Sequence, residues 1–446
     1  MGIFGDELKT VVTIVKVCVG LDMLAVAVLV PLLPSIFREL GISNENYGLV
    51  SSVYSAAQIV GGLILGVLSD STLSRRTVLL ISFIGSAISY LLVGLTNSLQ
   101  VLIFSRVLVG LVKQTMTIST ALITDFSSGQ SRAKELGQLG GASSIAFIVG
   151  PSMGSLLYKQ NPMYPSLLAA GLFVVNSTIL ALFCPSSHTH KRPAHEEKKD
   201  HDKAIDKTKQ SQQLGSFAKF KKNLKATCSI PTVYWLVIVR LIFGFLARGM
   251  SSAGSLGYFE ERFGLATHQL GYVRSYQSVL GLVVSMFLVG PIVQRFSERG
   301  LITASIAGIV VANAYEGSPT LGLWQYLTLA SPLKGVCFGL LRICLESLFT
   351  QALPASSVGA ALSTLNVLQS AVGVLSPIYS GWLFGMVEAG RRPLCSGAHY
   401  AVFLALWRWA VLPRLPPPPS SPSVRGASKV TEEVAGGVEG GGRTAA

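Results

Sequence analysis

The chain has 446 residues, half of them apolar and only 13% charged, with a mean hydropathy of +0.53. A soluble globular protein carries about a quarter charged residues, so this composition belongs to a bilayer rather than to water. The net charge of +14 would suit nucleic acid, but the basic residues sit in short loops, one long loop and the tail. No zinc-finger, RNA-recognition or helix-turn-helix pattern accompanies them, so positive-inside loops account for the charge and no nucleic-acid partner is expected.

About a dozen segments approach the roughly 20 residues that a span needs. In chain order they are residues 11–34, 47–69, 77–96, 99–123, 136–158 and 166–183, then 232–254, 270–293, 301–315, 321–349, 358–387 and 398–412. Irregular backbone cannot face lipid, so each is expected to be helical. Residues 186–230, between the sixth and seventh, are hydrophilic and basic, and most of them read as disordered. Within them 217–224 suits a basic amphipathic helix on the inner membrane surface, and equally a solvated linker. The twelfth span is short or incomplete and carries Arg408, and the Pro/Gly-rich tail, 413–446, is of low complexity and reads as disordered.

The linker separates a first half, 1–185, from a second, 231–412, and the halves resemble each other. Gly48–Ser55 matches Gly271–Ser278, Gly110–Lys113 matches Gly339–Arg342, and Gly150–Ser155 matches Ser376–Gly381. The matches keep their order and nearly their offset, which points to an internal six-helix repeat. The fold class expected is all-α and integral to the membrane, with two six-helix bundles. With the amino terminus inside, inner loops carry Arg75, Arg76, Arg132, Lys134, Arg295 and Arg299, so both termini are expected in the cytoplasm; Arg391 and Arg392 break the pattern.

Ionisable residues well inside the spans fall almost only on the first, fourth, seventh and tenth: Asp22; Arg106 and Lys113; Arg240 and Arg248; Lys334, Arg342 and Glu346. A charge at bilayer depth costs about 2.5–3.5 kcal/mol on insertion scales, so it persists only where it faces protein or water. One helix in every three then lines a common polar interior, the pattern of a transport pathway. Arg106 and Lys113 share a helical face and need anionic company, for which Asp22 is the candidate.

The run Asp22 to Pro31 and Pro34 resembles the first helix of the drug–proton antiporters of the major facilitator superfamily, in particular the tetracycline antiporters. Gly66, Asp70, Arg75 and Arg76 resemble that family's loop between spans two and three, although the loop has one extra residue and Leu73-Ser74 where the family has an internal glycine. The resemblance implies close helix contact at Gly66, a helix cap at Asp70 and gating by the arginines, with Asp125 as their acidic partner. Arg106 to Gly110 resembles the family's fourth-span motif. Gly150, Pro151 and Gly154 resemble its fifth-span antiporter motif, and Pro377 is the repeat equivalent of Pro151. Thr120–Asp125, Glu260–Gly264 and Gly271–Tyr276 resemble one member of the superfamily, a likeness that brings no substrate with it.

The family implies the major facilitator fold, with the halves rocking around a central site. Asp22 and Glu346 are the carboxylates expected to couple transport to a proton or ion, burial and a neighbouring cation deciding when each carries a proton. Six cations against two anions lean toward an anionic or amphipathic small-molecule substrate. The alternatives are an uncoupled carrier, or a scaffold or sensor acting through the basic linker. The expected surroundings are a lipid bilayer, with a monomer as the default state. The six cysteines form no CxxC pair and the six histidines no HExxH spacing, so neither a metal site, a resident cofactor nor an enzyme is expected.

Overall fold

The computed structural model describes residues 2–71, 73–126, 129–184, 216–251, 257–354 and 357–415. Helix α1 (Gly2–Leu29) tightens into a 3-10 turn at Val30–Leu32, where Pro31 supplies no N–H, and continues as α2 (Leu33–Glu39). The first half goes on with α3 (Asn44–Ser71), α4 (Arg75–Leu95), α5 (Leu99–Val112), α6 (Thr115–Phe126), α7 (Gly129–Gln160) and α8 (Tyr164–Phe183). The linker contributes α9 (Ser216–Cys228), so helix rather than solvated coil covers 217–224. Expected disorder elsewhere in the linker, and in the tail after Leu415, falls outside the described residues.

The second half opens with α10 (Pro231–Gly249) and the short α11 (Tyr258–Phe263). Helix α12 (Thr267–Val283) passes through a π turn into α13 (Val289–Arg295), and α14 (Glu298–Glu316) follows. Helix α15 (Leu323–Gln325) runs through a second π turn into α16 (Ser331–Gln351). Last come α17 (Val358–Gly385) and α18 (Arg392–Leu406), the latter prolonged by a π turn to Val411.

Among the described residues, 10 helices are long and apolar enough to cross a membrane. Helices α14 and α18 occupy the ninth and twelfth positions but carry more polar residues. The twelfth helix begins at Arg392, well before the expected start at residue 398. Its apolar run is short because polar residues fill its first turns. The N-cap position of α4 is held by Ser74, its hydroxyl accepting from the Thr77 N–H at 3.1 Å; the part expected of Asp70 falls on a side chain outside the described residues.

Each half has its own apolar core. The first gathers Val19, Leu29, Phe83, Leu102, Leu122 and Phe173, the second Val239, Ile306, Leu341, Phe349, Phe403 and Trp407. A smaller aromatic cluster of Tyr258, Phe259 and Tyr326 closes the end of the second half remote from the linker. The halves meet along two helix pairs, α3 on α17 and α7 on α12.

Candidate functional site

Helix α5 ends at Val112 and α6 starts at Thr115. Neither proline nor glycine stands at 113–114, so the break has another support. The Ser82 hydroxyl of α4 accepts the freed Gln114 N–H at 3.1 Å and lies 3.2 Å from the Thr115 hydroxyl, while the Gln114 amide donates to the Gln58 carbonyl at 3.1 Å. The freed backbone is thereby bonded inside protein, the condition for irregular chain at membrane depth.

Lys113 sits at that break. Its ammonium lies 2.5 Å from Asp22 Oδ1 and 4.8 Å from the centre of the Phe173 ring. The Thr115 hydroxyl donates to the same oxygen at 3.3 Å, whereas the fully buried Asp22 has no hydrogen-bond partner at Oδ2 among the described residues. Arg106 is buried in the same half, 5.5 Å from the Tyr90 ring centre, and its Nη2 lacks a hydrogen-bond partner among the described residues. The structure thus pairs Asp22 with Lys113, whereas Arg106 stands against Tyr90, whose ring meets that of Phe173 beside Lys113.

The second half divides its charges. Arg240 lies 3.7 Å from Glu346 and 5.9 Å from the centre of the Phe349 ring, with Arg342 near enough to repel it. Lys334 pairs instead with Glu316, which is wholly buried and also accepts the Tyr258 hydroxyl at 2.5 Å. Burial, and the Glu316 charge beside it, push the Tyr258 phenol far above the usual tyrosine range, so it remains a donor. Arg248 is apart from both groups. It donates to the Gln369 carbonyl at 2.6 Å, at a cleft between the halves lined by Tyr47, Gly48 and Pro377.

Strict confinement of buried charge to every third helix does not hold. Glu316 is on the ninth helix and Arg274, on the eighth, lies 5.6 Å from the centre of the Phe259 ring. On the first helix Lys16 pairs with Glu135 at 2.6 Å. Glu316 lies at the end of its helix, where an apolar window reads a charge as part of a loop, whereas Arg274 lies two turns into α12, inside the expected span, and breaks the pattern outright.

The halves lock at the end remote from the linker. A Cβ on Gly48 would stand 2.2 Å from the Pro377 carbonyl oxygen, and one on Gly271 would stand 2.0 Å from that of Pro151. Ser52 donates to the Val374 carbonyl at 2.6 Å, and Ser152 to the Ser275 hydroxyl at 2.8 Å. Beyond these contacts lies an ionic latch that charge counting missed. Arg38 reaches Glu260 at 2.7 Å and Glu261 at 3.6 Å, Ser35 donates to Glu260 at 2.8 Å, and Arg392 pairs with Glu261 at 3.5 Å. Arg392, which breaks the loop-charge pattern, is therefore held in a protein ion pair.

The expected gating residues are distributed differently. Gly150 and Gly154 seat α7 on α1, where Cβ atoms would stand 2.5 Å from Ala27 Cβ and 2.0 Å from the Val28 oxygen. Arg76 donates to the Ala181 carbonyl at 2.6 Å rather than to a described carboxylate, and Arg75 is engaged as well. The Asp70 and Asp125 side chains lie outside the described residues. Gly66 makes no close approach: among the described residues nothing comes within 4 Å of its would-be Cβ, nor of those at Gly137, Gly140, Gly290 and Gly359 toward the linker end.

The Major Facilitator Superfamily model matches residues 17–377. The tetracycline resistance protein of class D from Salmonella ordonez is 25% identical over 394 residues, covering 86% of this chain and 93% of that protein. The crystal structure of the nucleoside transporter NupG superposes with a TM-score of 0.68 at 15% identity, covering 89% of this chain and 98% of that one. That of the human organic anion transporter MFSD10 (TETRAN) gives 0.60 at 19% identity, covering 90% and 99%.

Proposed function

The chain belongs to the major facilitator superfamily, and from that premise we propose that this multi-pass membrane transporter carries a small anionic or amphipathic solute in exchange for protons. Both termini and the linker would face the cytoplasm. Likeness to the tetracycline resistance proteins supports antiport, and the excess of basic over acidic groups along the pathway supports an anionic substrate.

One observation carries the coupling proposal: a buried carboxylate with one oxygen committed to Lys113 and the other without a hydrogen-bond partner among the described residues, beside a break in a spanning helix. Buried polar atoms are nearly always satisfied, and an intramembrane carboxylate marks a proton or substrate path. A discontinuous helix near midplane is where transporters place their coupling sites. The Oδ2 of Asp22 would either take up a proton or accept a hydrogen bond from the solute, not both. Proton and substrate would then compete for one oxygen, which is the requirement for exchange.

Flux of small organic anions into proteoliposomes, with and without a pH gradient, tests this. Asp22→Asn should reduce gradient-driven flux at least about tenfold, the effect of losing one committed interaction of about 1.4 kcal/mol, while exchange without a gradient persists. Equal gradient-driven flux in the two proteins would leave an uncoupled carrier as the correct reading.

A further inference from the structure

The second half carries an apolar groove of about 460 Å³ between α10, α17 and α18. Val402 on its wall is 69% exposed, so in a membrane the groove opens to lipid. Its lining is aliphatic and aromatic apart from one polar pair, His399 on α18 and Tyr379 on α17.

The hydrogen bonds of that pair fix where its protons lie. His399 Nδ1 is 2.7 Å from the Cys395 carbonyl oxygen, which can only accept, so Nδ1 carries a proton. A charged ring facing hydrocarbon is costly, so the imidazole is neutral and its Nε2 is bare. Nε2 lies 2.8 Å from the Tyr379 hydroxyl, which is then the donor. The phenol gives its one hydrogen to histidine, and its oxygen is left able only to accept. Among the described residues no donor reaches that oxygen. The wall around it is apolar, so the complementary donor belongs to whatever fills the groove.

The groove also has a direction. Helix α10 starts beside the linker, whereas α18 starts at Arg392 in the latch, at the opposite end of the molecule. By helical rise Tyr379 lies about 9 Å from the latch end of α17 at Gly385. From His399 the α18 wall continues through Phe403 to Leu406, about 10 Å deeper toward the midplane. The polar pair therefore stands nearer the membrane surface and the apolar floor nearer the bilayer centre, as head and body of an amphiphile are arranged in that leaflet. The rings of Phe245 and Tyr379, with centres 5.5 Å apart, give the upper wall a rigid aromatic surface.

We propose that this groove binds a membrane sterol, its hydroxyl donating to the Tyr379 oxygen and its ring nucleus lying against Phe245 and Phe403. A sterol brings the single donor and the flat apolar body that the site lacks, and phosphatidylcholine brings neither. The assignment goes beyond the transporter reading and depends on neither the cargo nor the coupling.

The test places the purified full-length protein in phosphatidylcholine nanodiscs with a cholesterol analogue bearing a diazirine on its ring nucleus. Mass spectrometry locates the adduct after illumination, and its loss to unlabelled competitors ranks their affinity. Adducts should fall on the α10, α17 and α18 peptides that line the groove. Cholesterol should compete about fivefold better than its methyl ether, which keeps the oxygen but has no hydrogen to donate, as the loss of one neutral hydrogen bond requires. Tyr379→Phe should abolish that difference by weakening cholesterol alone. His399→Leu frees the phenol hydrogen for an ether oxygen, so there the methyl ether should gain on cholesterol. Val402→Trp fills the groove from an exposed position and should remove the adduct, a readout that stands even where a polar variant does not fold. Adducts spread evenly over lipid-facing helices, equal competition by the two sterols in wild type, or discrimination kept in Tyr379→Phe overturns the assignment. So does a methyl ether that gains nothing in His399→Leu, or full labelling of Val402→Trp. Flux enters none of these measurements, so a failed exchange assay leaves this site standing.

Discussion

Asp22 and Lys113 depend on each other for their tolerance inside the first bundle. Breaking a buried ion pair by removing one partner costs about 3–5 kcal/mol, whereas replacing both by uncharged groups can be neutral. Asp22→Asn should therefore lower the thermal midpoint in detergent, and adding Lys113→Met should restore most of it. A double variant no more stable than the single one would mean that the pair is not the stabilising unit. That variant also separates folding from coupling in the flux assay. The pair was legible in the sequence, because an acidic and a basic residue in apolar runs have few other ways to be accommodated. The break that brings them together was not. It rests on Ser82, which meets Gln114 only after α4 and α5 have packed, and nothing at 113–114 departs from helical composition. Glu316 was hidden differently, one residue beyond its expected span.

At the scale of elements, the latch joins the end of α2 to α11 and the first turn of α12. Arg38, Ser35 and Glu39 approach from the first half and Glu260, Glu261 and Thr267 from the second. Partly exposed pairs of this kind contribute about 0–1 kcal/mol each, enough together to bias a closed end and little enough for it to open. Arg38→Glu adds a fourth carboxylate to Glu39, Glu260 and Glu261 and should open this end, raising the rate at which a cysteine at Thr267 is labelled by a small polar reagent. Adding Glu260→Arg should bring the rate back toward its starting value. Unchanged labelling in Arg38→Glu would show that the latch does not hold the end shut. The lengths of the apolar runs made most of these helices legible. Short α11 was not, because six residues bounded by glycines with positive φ at Gly257 and Gly264 carry no periodicity. Its place is fixed by Tyr258 and Phe259 entering the aromatic cluster.

For the whole molecule, the described contacts between halves gather at the end remote from the linker, while Cβ atoms built at Gly66, Gly137, Gly140, Gly290 and Gly359 toward the linker end would meet no described neighbour within 4 Å. The structure is thus a state closed at one end, and alternating access requires its converse. Gly271→Val puts a branched side chain where even a Cβ would overlap the Pro151 carbonyl, so that end must part. Spin labels at Met163 and Glu388 should report a longer distance in this variant than in wild type. An unchanged distance would show that the glycine contact does not set the spacing. Both glycines and both prolines were visible as repeated motifs, but their pairing across the molecule could be read only from coordinates.

That pairing is reciprocal. The glycine of the first copy meets the proline segment of the second, and the glycine of the second meets the proline segment of the first. This is the self-complementarity of a two-fold dimer, in which one patch serves as both ridge and groove. A six-helix ancestor bearing one such patch would have paired with its own twin through the same contacts. In the single chain each half can differ away from that patch, as the buried acid beside the α5–α6 break of the first half does.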